Sequence, residues 1–520
     1  MNGDGRNILV VGGGTAGWLT AGYLARTLGA DLAGGARITL IESSDIGILG
    51  VGEGTFPTIR KTLSRIGVDE ADLIRRCGAT FKQGAKFVDW RGDAAAAPGS
   101  DNFLHAFQVA DDSEGPELLP YWLLGVAGDR PWDEAATPQK RAADAHRAPK
   151  LPTHPDYVGP LGYAFHFDAV ALAALLREQG IANGVRHLTG TVQEVLLADD
   201  GAIAGVRSAE HGLLEADLYI DCTGFRAELI GKALGEPWKS LGETLFCDGA
   251  IALQVPYDRP DAPIASYTIS TAQEAGWIWD IGLDTRRGIG HVYSSAHSSA
   301  DEAEQALRDY IGPASDALEA RRFRFDAGYR EISWHKNCVA VGLSSGFFEP
   351  LEATGIVLSE VAAALIANLF PWAGEFETSA RQFNALMRRR YERALDFIKL
   401  HYWLSKRSGS FWEANRDPAS APDSLIELLD RWRFRPPNEL DIDPNIDMFP
   451  ASSWQYVLYG MGWRTDLSAK AGAYRLTDAA RERFAQVQAQ ADYAVRQLPS
   501  NRDLVRFAAT SHFGQGANAA

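Results

Sequence analysis

Apolar positions change their period twice within the first 43 residues. "ILVVG" (8–12) is a continuous apolar run ending in glycine, "TAGWLTAGYLARTLG" (15–29) repeats apolar positions at helical spacing, and "RITLIES" (37–43) returns to a short β-rich run. Strand, tight turn, helix and strand are predicted in that order. Residues 187–224 alternate short β-rich runs around an Asp-Asp-Gly turn and end in "ADLYIDCTG", which predicts a hairpin and meander returning to a buried strand, with both regions in one sheet. "EAGWIWDIGLD" (274–284) alternates like a strand, so Trp277 and Trp279, at i and i+2, project to one face. From the pattern alone, that pair is core packing. "RGDAAAAPGSD" (91–101) and residues 128–156 are rich in Pro, Ala and charge and are expected to be surface excursions. Beyond residue 356 the pattern is mostly helical, with a long linker at 433–450 and a tail, "GQGANAA", expected to be disordered.

Composition narrows the function. The 520 residues suffice for two or three modules, and 14 tryptophans offer aromatic surface of the kind a ligand site uses. With 67 acidic against 51 basic residues the net charge is −16, and no basic block is long enough to follow a phosphate backbone. Nucleic acid and anionic membranes are therefore excluded as expected partners. Four scattered cysteines without a CxxC pair leave neither a disulfide framework nor a zinc cage, and a reducing cytoplasm fits. Neither an export signal nor a transmembrane helix is expected.

Gly12-Gly13-Gly14-Thr15-Ala16-Gly17 forms G-x-G-x-x-G between the first strand and helix, and Glu42 ends the next strand. Glycines there permit a tight turn and close approach of backbone amides to a pyrophosphate, while the acidic residue can accept from a ribose. Glu42 would repel the 2'-phosphate of NADP. The fingerprint does not separate NAD from FAD, but a single copy at the start and a distant strand ending Asp221-Cys222-Thr223-Gly224 look like FAD-dependent oxygenases.

"GVGEGTFPTI" (50–59), "CGATFKQGAKFVDW" (77–90), "GWIWDI" (276–281) and "SSGFFEPLEATGI" (344–356), in this order, resemble the flavin-dependent tryptophan halogenase family from the first strand to about residue 416. The resemblance implies that reduced FAD and oxygen give a flavin hydroperoxide, that chloride or bromide attacks it to form hypohalous acid, and that this oxidant reaches a lysine beside an electron-rich aromatic substrate. Lys82 matches that lysine, Glu352 the glutamate working with it, and Thr354 and Gly355 the pair whose amides hold the halide. A buried amine can hydrogen-bond hypohalous acid or form a haloamine, a carboxylate can take the ring proton, and a helix start after Thr354 favours a halide. His105 and Phe107 match rings flanking the family's indole. Trp454 falls where substrate contacts are expected, and Trp277 and Trp279 match the pair that keeps organic substrate from the hydroperoxide. Val192, Leu343 and Ile356 complete the cofactor-binding set with Gly12, Gly14, Thr15, Ala16, Gly17 and Glu42. His166, just before a helix, is read as structural.

Three positions depart from the family: Ala353 stands for a serine, Gly282 for a proline, and Ser453-Trp454 for adjacent tyrosines that help hold the amino acid's charged groups. Burying a zwitterion with either charge unpaired is costly, so a less polar indole, a phenol, a pyrrole or an aromatic within a larger molecule competes with free tryptophan as substrate. The expected fold is α/β: a Rossmann-type FAD module of the flavin monooxygenase type (1–90 and 157–375), an excursion contributing to the substrate pocket (91–156), and a mostly helical substrate-side module (376–520). A separate flavin reductase would supply FADH2, and a homodimer is left open. Competing readings are a flavin monooxygenase or other oxidoreductase on an aromatic substrate, and a nucleotide-binding scaffold without catalysis.

Overall fold

The computed structural model describes residues 5–44, 52–92, 99–108 and 115–514. Parts of the 91–101 excursion and all but the first residue of the 514–520 tail lie outside the described residues. The chain divides into two compact units. The first comprises Met1–Cys77, Phe167–Leu241 and Asp326–Glu392; the second comprises Gly78–His166, Gly242–Phe325 and Arg393–Ala520.

In the first unit a six-stranded sheet runs in the order Trp334–His335, Cys338–Ala340, Leu218–Asp221, Asn7–Val11, Arg37–Glu42, Arg186–Thr189. Asn7–Val11 pairs in parallel with Leu218–Asp221 on one side and Arg37–Glu42 on the other, so the two regions expected to share a sheet do so. Parallel strands are covered on both faces and need continuous apolar runs: Ile8, Val10, Leu40 and Ile220 are all buried. The meander strands Val192–Leu197, Ile203–Ser208 and Gly212–Leu214 instead form their own antiparallel sheet.

Helix Thr15–Thr27 packs on Ala169–Ala182 and on Thr354–Leu369. Among the described residues one helical stretch, Leu351–Leu369, is apolar and long enough to cross a membrane, and 67% of it is buried within the fold. Its apolarity is that of a helix packed into a core.

The second unit is built on a seven-stranded sheet ordered Arg321–Arg324, Gly249–Pro256, Arg286–Tyr293, Gly276–Gly282, Thr268–Gln273, Gly84–Val88, Asn102–Ala106. All neighbours are antiparallel except Thr268–Gln273 with Gly84–Val88. Helix Ala300–Ile311, started by a Ser299–Glu302 capping box, covers Ile251, Ile278 and Ile289. Alternation sends Trp277 and Trp279 away from Ile278, where Trp277 meets Trp90 and the two tryptophan centroids lie 6.3 Å apart. Trp90 in turn contacts Trp412.

The parallel pairing of Gly84–Val88 with Thr268–Gln273 joins segments nearly two hundred residues apart. For that reason residues 78–166 and 242–325 fall in the same unit, a division that differs from the sequence-based one. Residues 128–156 also differ from their expected surface role. Trp132, Asp133, Gln139, Ala142, Ala143 and Lys150 are buried, because small alanines let helix Gln139–Asp144 pack closely against Thr477–Gln497. Polar composition misled here: Gln139 and Lys150 are satisfied by backbone carbonyls at Gly162 and Pro155.

Gly290 lies opposite Trp279 in the sheet, and a Cβ there would sit 2.1 Å from the indole. Gly290→Ala should therefore destabilise the protein by about 1–3 kcal/mol through overpacking. Thermal unfolding of the variant, read by near-UV circular dichroism, checks this; an unchanged melting temperature would mean that Trp279 relaxes freely.

Candidate active site

Gly12 adopts φ 111° and turns the chain out of the first strand; its Cβ would collide with the Cys222 carbonyl at 2.3 Å. At Gly17 a Cβ would meet the Gly12 carbonyl at 1.9 Å, whereas nothing lies within 4 Å of one at Gly14. Gly14 is also the N-cap of Thr15–Thr27 and supplies no capping side chain. The helix start thus has no side-chain cap, and its first amides lack intrahelical acceptors, as a pyrophosphate cradle needs. The Thr15 hydroxyl donates to the Ala169 carbonyl at 3.3 Å.

The lack of a side chain at Gly13 admits Glu42, whose carboxylate occupies the place of the missing Cβ. Glu42 accepts from the Trp18 indole at 3.4 Å and lies 2.8 Å from His187 Nε2, so it is oriented before any ribose arrives. Gly342, at φ 74°, packs on Ala16 and brings the turn Gly342–Ser344, with Leu343, to the start of the same helix. Ile356 is buried in the first turn of Thr354–Leu369. Val192 instead packs beside Leu9, Val11, Ile41 and Leu188, in a cluster of the core. Asp221 acts structurally: its carboxylate accepts from the amides of Thr223, Leu229 and Ile230 and from the Thr223 hydroxyl.

Two consecutive non-glycine residues, Glu352 (φ 61°) and Ala353 (φ 52°), are left-handed just before Thr354–Leu369. Such residues cost roughly 1–3 kcal/mol each and cluster at functional sites. A left-handed Ala353 followed by a right-handed Thr354 is the alternation in which successive amides can turn toward one side, although the Ala353 amide itself donates to the Pro350 carbonyl at 2.9 Å. As the first two helical residues, Thr354 and Gly355 have amides without intrahelical acceptors. Glu352 and Thr354 are buried, and Gly355 is exposed. The helix begins at Thr354 itself, one residue earlier than expected.

Sequence reasoning missed two carboxyls in this unit. Burial, with Asp168 as a further cause, pushes Glu53 of the "GVGEG" stretch up to about 7. Glu360, buried on helix Thr354–Leu369, is pushed up to about 8 by burial and accepts from Thr62 at 2.6 Å and Thr58 at 3.3 Å.

In the second unit Lys82 ends the short strand Thr80–Lys82, which pairs antiparallel with residues 164–166. Its side chain is 3% exposed, with Nζ 5.2 Å from the Phe107 ring centroid. An ammonium over an aromatic face is favourable, and more so without water. The Phe107 amide donates to the Gln83 carbonyl at 3.0 Å, fixing that ring's strand to the residue after the lysine. His166 lies opposite Thr80, two residues from Lys82 on the same face. It is fully buried, shares a 2.8 Å hydrogen bond with Thr268, and is held neutral by burial and then by the Lys82 charge. A histidine taken as structural thus belongs to the lysine's surroundings.

His105 Nε2 is 2.8 Å from the Ser453 hydroxyl, and its ring meets Phe107, Phe397, Phe449 and Tyr456. The planes of His105 and Phe107 cross at 81° with centroids 6.4 Å apart, so they form an edge-to-face corner, not parallel jaws. Trp454 points into the core against Phe397 and Trp432; its neighbour Ser453 is the one at His105. Phe397 and Phe449 carry no local sequence signal and reach His105 only through the packing of distant helices and loops. A recess of about 290 Å³ also opens beside Phe103, lined by Arg91, Trp122, Trp132, Asp133 and Tyr459 among others. Segment 91–156 supplies most of its wall. Among the described residues no cluster of His, Cys, Asp and Glu could hold a metal ion.

Comparison with known proteins defines the class. A family model described as tryptophan halogenase matches residues 7–475. Tryptophan 6-halogenase SttH of Streptomyces toxytricini is 36% identical over 515 residues, 95% of this chain and 96% of its own. A crystal structure of a tryptophan halogenase from Shewanella frigidimarina NCIMB 400 matches with TM-score 0.94 at 38% identity, covering 99% of each chain. BrvH, a flavin-dependent halogenase from Brevundimonas sp. BAL3, matches at TM-score 0.85 and 34% identity over 97% of this chain and all of its own. The fold and sequence are those of flavin-dependent halogenases. The chain belongs to the tryptophan halogenase family, and the halogenase reading therefore stands above the monooxygenase and scaffold readings.

Glu360 gives a pH prediction. Its folded pKa, raised to about 8, lies above its unfolded value, so its contribution to stability is full below about 4.5 and declines as pH rises toward 8, by up to about 1.4 kcal/mol per pH unit. Glu360→Gln should remove that decline, and the variant's melting temperature should gain on the parent's between pH 5 and 8. Parallel curves across that range would show that the carboxyl does not carry this proton.

Proposed function

We propose that this chain is an FADH2-dependent halogenase that uses O2 and chloride or bromide to halogenate an electron-rich, indole-type aromatic other than free tryptophan. The observation that carries the reading is Lys82: a buried amine fixed over an aromatic face, in the strand that matches the family's lysine. When bound, reduced FAD with O2 supplies the oxidising equivalent that converts halide to hypohalous acid. The open helix start at Gly14 to Gly17 fits a pyrophosphate, with Glu42 toward the ribose and Leu343 and Ile356 as apolar contacts. The amides of Thr354 and Gly355 hold the halide beside left-handed Ala353.

Lys82 receives the electrophilic halogen equivalent as a hydrogen-bonded acid or as a haloamine, and its apolar surroundings keep water from consuming it. Glu352 is the base for the ring proton. Trp277 and Trp279 keep the role the resemblance implies, holding organic substrate from the oxidant. Against free tryptophan stands Ser453 at His105: a neutral hydroxyl does not balance the charges of a zwitterion. Trp454, at its place in the core, supports the fold of the slot from behind. A separate flavin reductase supplies FADH2, and the four cysteines, which form no disulfide among the described residues, suit a reducing compartment.

The test supplies purified protein with FAD, a flavin reductase, NADH and chloride or bromide, and screens indoles, phenols and pyrroles by mass spectrometry. Halogenated indoles are expected, with free tryptophan converted poorly, and Lys82→Ala should lower turnover by about two to four orders of magnitude, as loss of a catalytic group does. Oxygenated products that persist in Lys82→Ala would overturn the reading.

A further inference from the structure

Phe81 and Gln83, on either side of Lys82, are held with the help of the C-terminal part of the chain, beyond residue 475 where the family model's match ends. In an antiparallel pair, alternate residues turn their amide groups to opposite edges. Thr80 and Lys82 face the strand 164–168, so Phe81 directs its N–H and C=O to the other edge. Among the described residues no further strand meets them there. The carboxamide of Asn501 does: its Oδ1 accepts from the Phe81 amide at 3.4 Å, and its Nδ2 donates to the Phe81 carbonyl at 3.1 Å and to the Ala265 carbonyl at 3.4 Å. Asn501 is fully buried at the start of helix Asn501–Thr510, and its own amide donates to the His146 carbonyl at 2.8 Å.

The same segment reaches Gln83. Ser500 forms an isolated bridge with Arg147, and the Arg147 carbonyl accepts from Gln83 Nε2 at 2.7 Å. Thr80 is tied separately, its hydroxyl donating to the Gly282 carbonyl at 2.6 Å. A three-residue strand cannot hold register by itself. Beyond its ladder with residues 164–166, its placement comes from these side chains and from the backbone bonds of Gln83 with Phe107 and Ser266.

We propose that Asn501 is a positioning residue for Lys82, acting as a one-residue surrogate strand that fixes the backbone carrying the amine. It touches neither substrate nor cofactor, and the inference depends on the assignment of Lys82 made above. A side-chain amide is suited to this because its C=O and NH2 stand side by side with peptide spacing, the NH2 having two donors for the Phe81 and Ala265 carbonyls; aspartate keeps the acceptor and loses both donors.

Asn501→Ala and Asn501→Asp would be assayed in the full-length enzyme with reductase, NADH, bromide and an accepted indole. Halogenated product, hypohalous acid escaping to monochlorodimedone, flavin oxidation and melting temperature would each be measured. A displacement of about 1 Å at a reacting group can cost a hundredfold. The expected result for Asn501→Ala is therefore a product kcat lower by about ten- to a hundredfold, with KM for the indole and flavin oxidation little changed and escaping hypohalous acid raised. Asn501→Asp, nearly isosteric, sets a carboxylate oxygen against the Phe81 and Ala265 carbonyls, and its product kcat should fall at least as far as that of alanine. Unchanged product formation in Asn501→Asp, or product and escaping acid falling together with the folded fraction, would overturn the proposal. Lys82→Ala in the same assay separates the two assignments: retained halogenation there overturns the role of Lys82, whereas loss there with unaltered Asn501 variants overturns this inference alone.

Discussion

A lysine amine is a compact charge on a flexible four-carbon stem, so chemistry that depends on where it points depends on the few residues that hold its backbone. Lys82 stands in a strand of three residues, with its amine over the Phe107 ring and the neutral ring of His166 on the same face. The lysine is buried, 3% exposed. The tryptophan strand takes part through Gly282, whose carbonyl receives the Thr80 hydroxyl. Glycine at that position also leaves room for Tyr257 and Ile264, which a Cβ would meet at 2.9 and 3.0 Å.

The proposed reading sets the first unit a different problem, the binding of anions without a surplus of positive side chains. It uses helix starts. Gly14 opens the amides of one helix, and the left-handed pair Glu352 and Ala353 opens those of another. Backbone amides bind anions without adding net positive charge, which agrees with the net charge of −16. The strain at Glu352 and Ala353 is held by the burial of Leu351 and of the helix that follows.

How much was legible depended on range. The strand–turn–helix–strand opening, the buried strand ending at Asp221, the tryptophan strand and the helical character beyond residue 356 all follow from local periodicity, and the structure has them. The burial of residues 128–156 was hidden because alanine, proline and charge describe an exposed loop as well as a tightly packed one. The partners of His105 were hidden for a related reason: Phe397, Phe449 and Ser453 lie some three hundred residues away in sequence, and ordinary aromatic residues in helices and loops give no sign of what they will face.

By itself, then, the sequence determined the glycine turn, the acidic residue at the end of the second strand, and the motifs, that of Lys82 among them, that place the chain in its family. These are properties of a few adjacent residues, and they survive any arrangement of the rest. The tertiary structure decided that His166 stands with Lys82, that Ser453 and not Trp454 meets His105, that Ala353 is left-handed, and that Asn501 completes the lysine strand. Each of these needs segments far apart in sequence to be brought together, and the free energy that does so comes from the burial of the whole core, which no local pattern records.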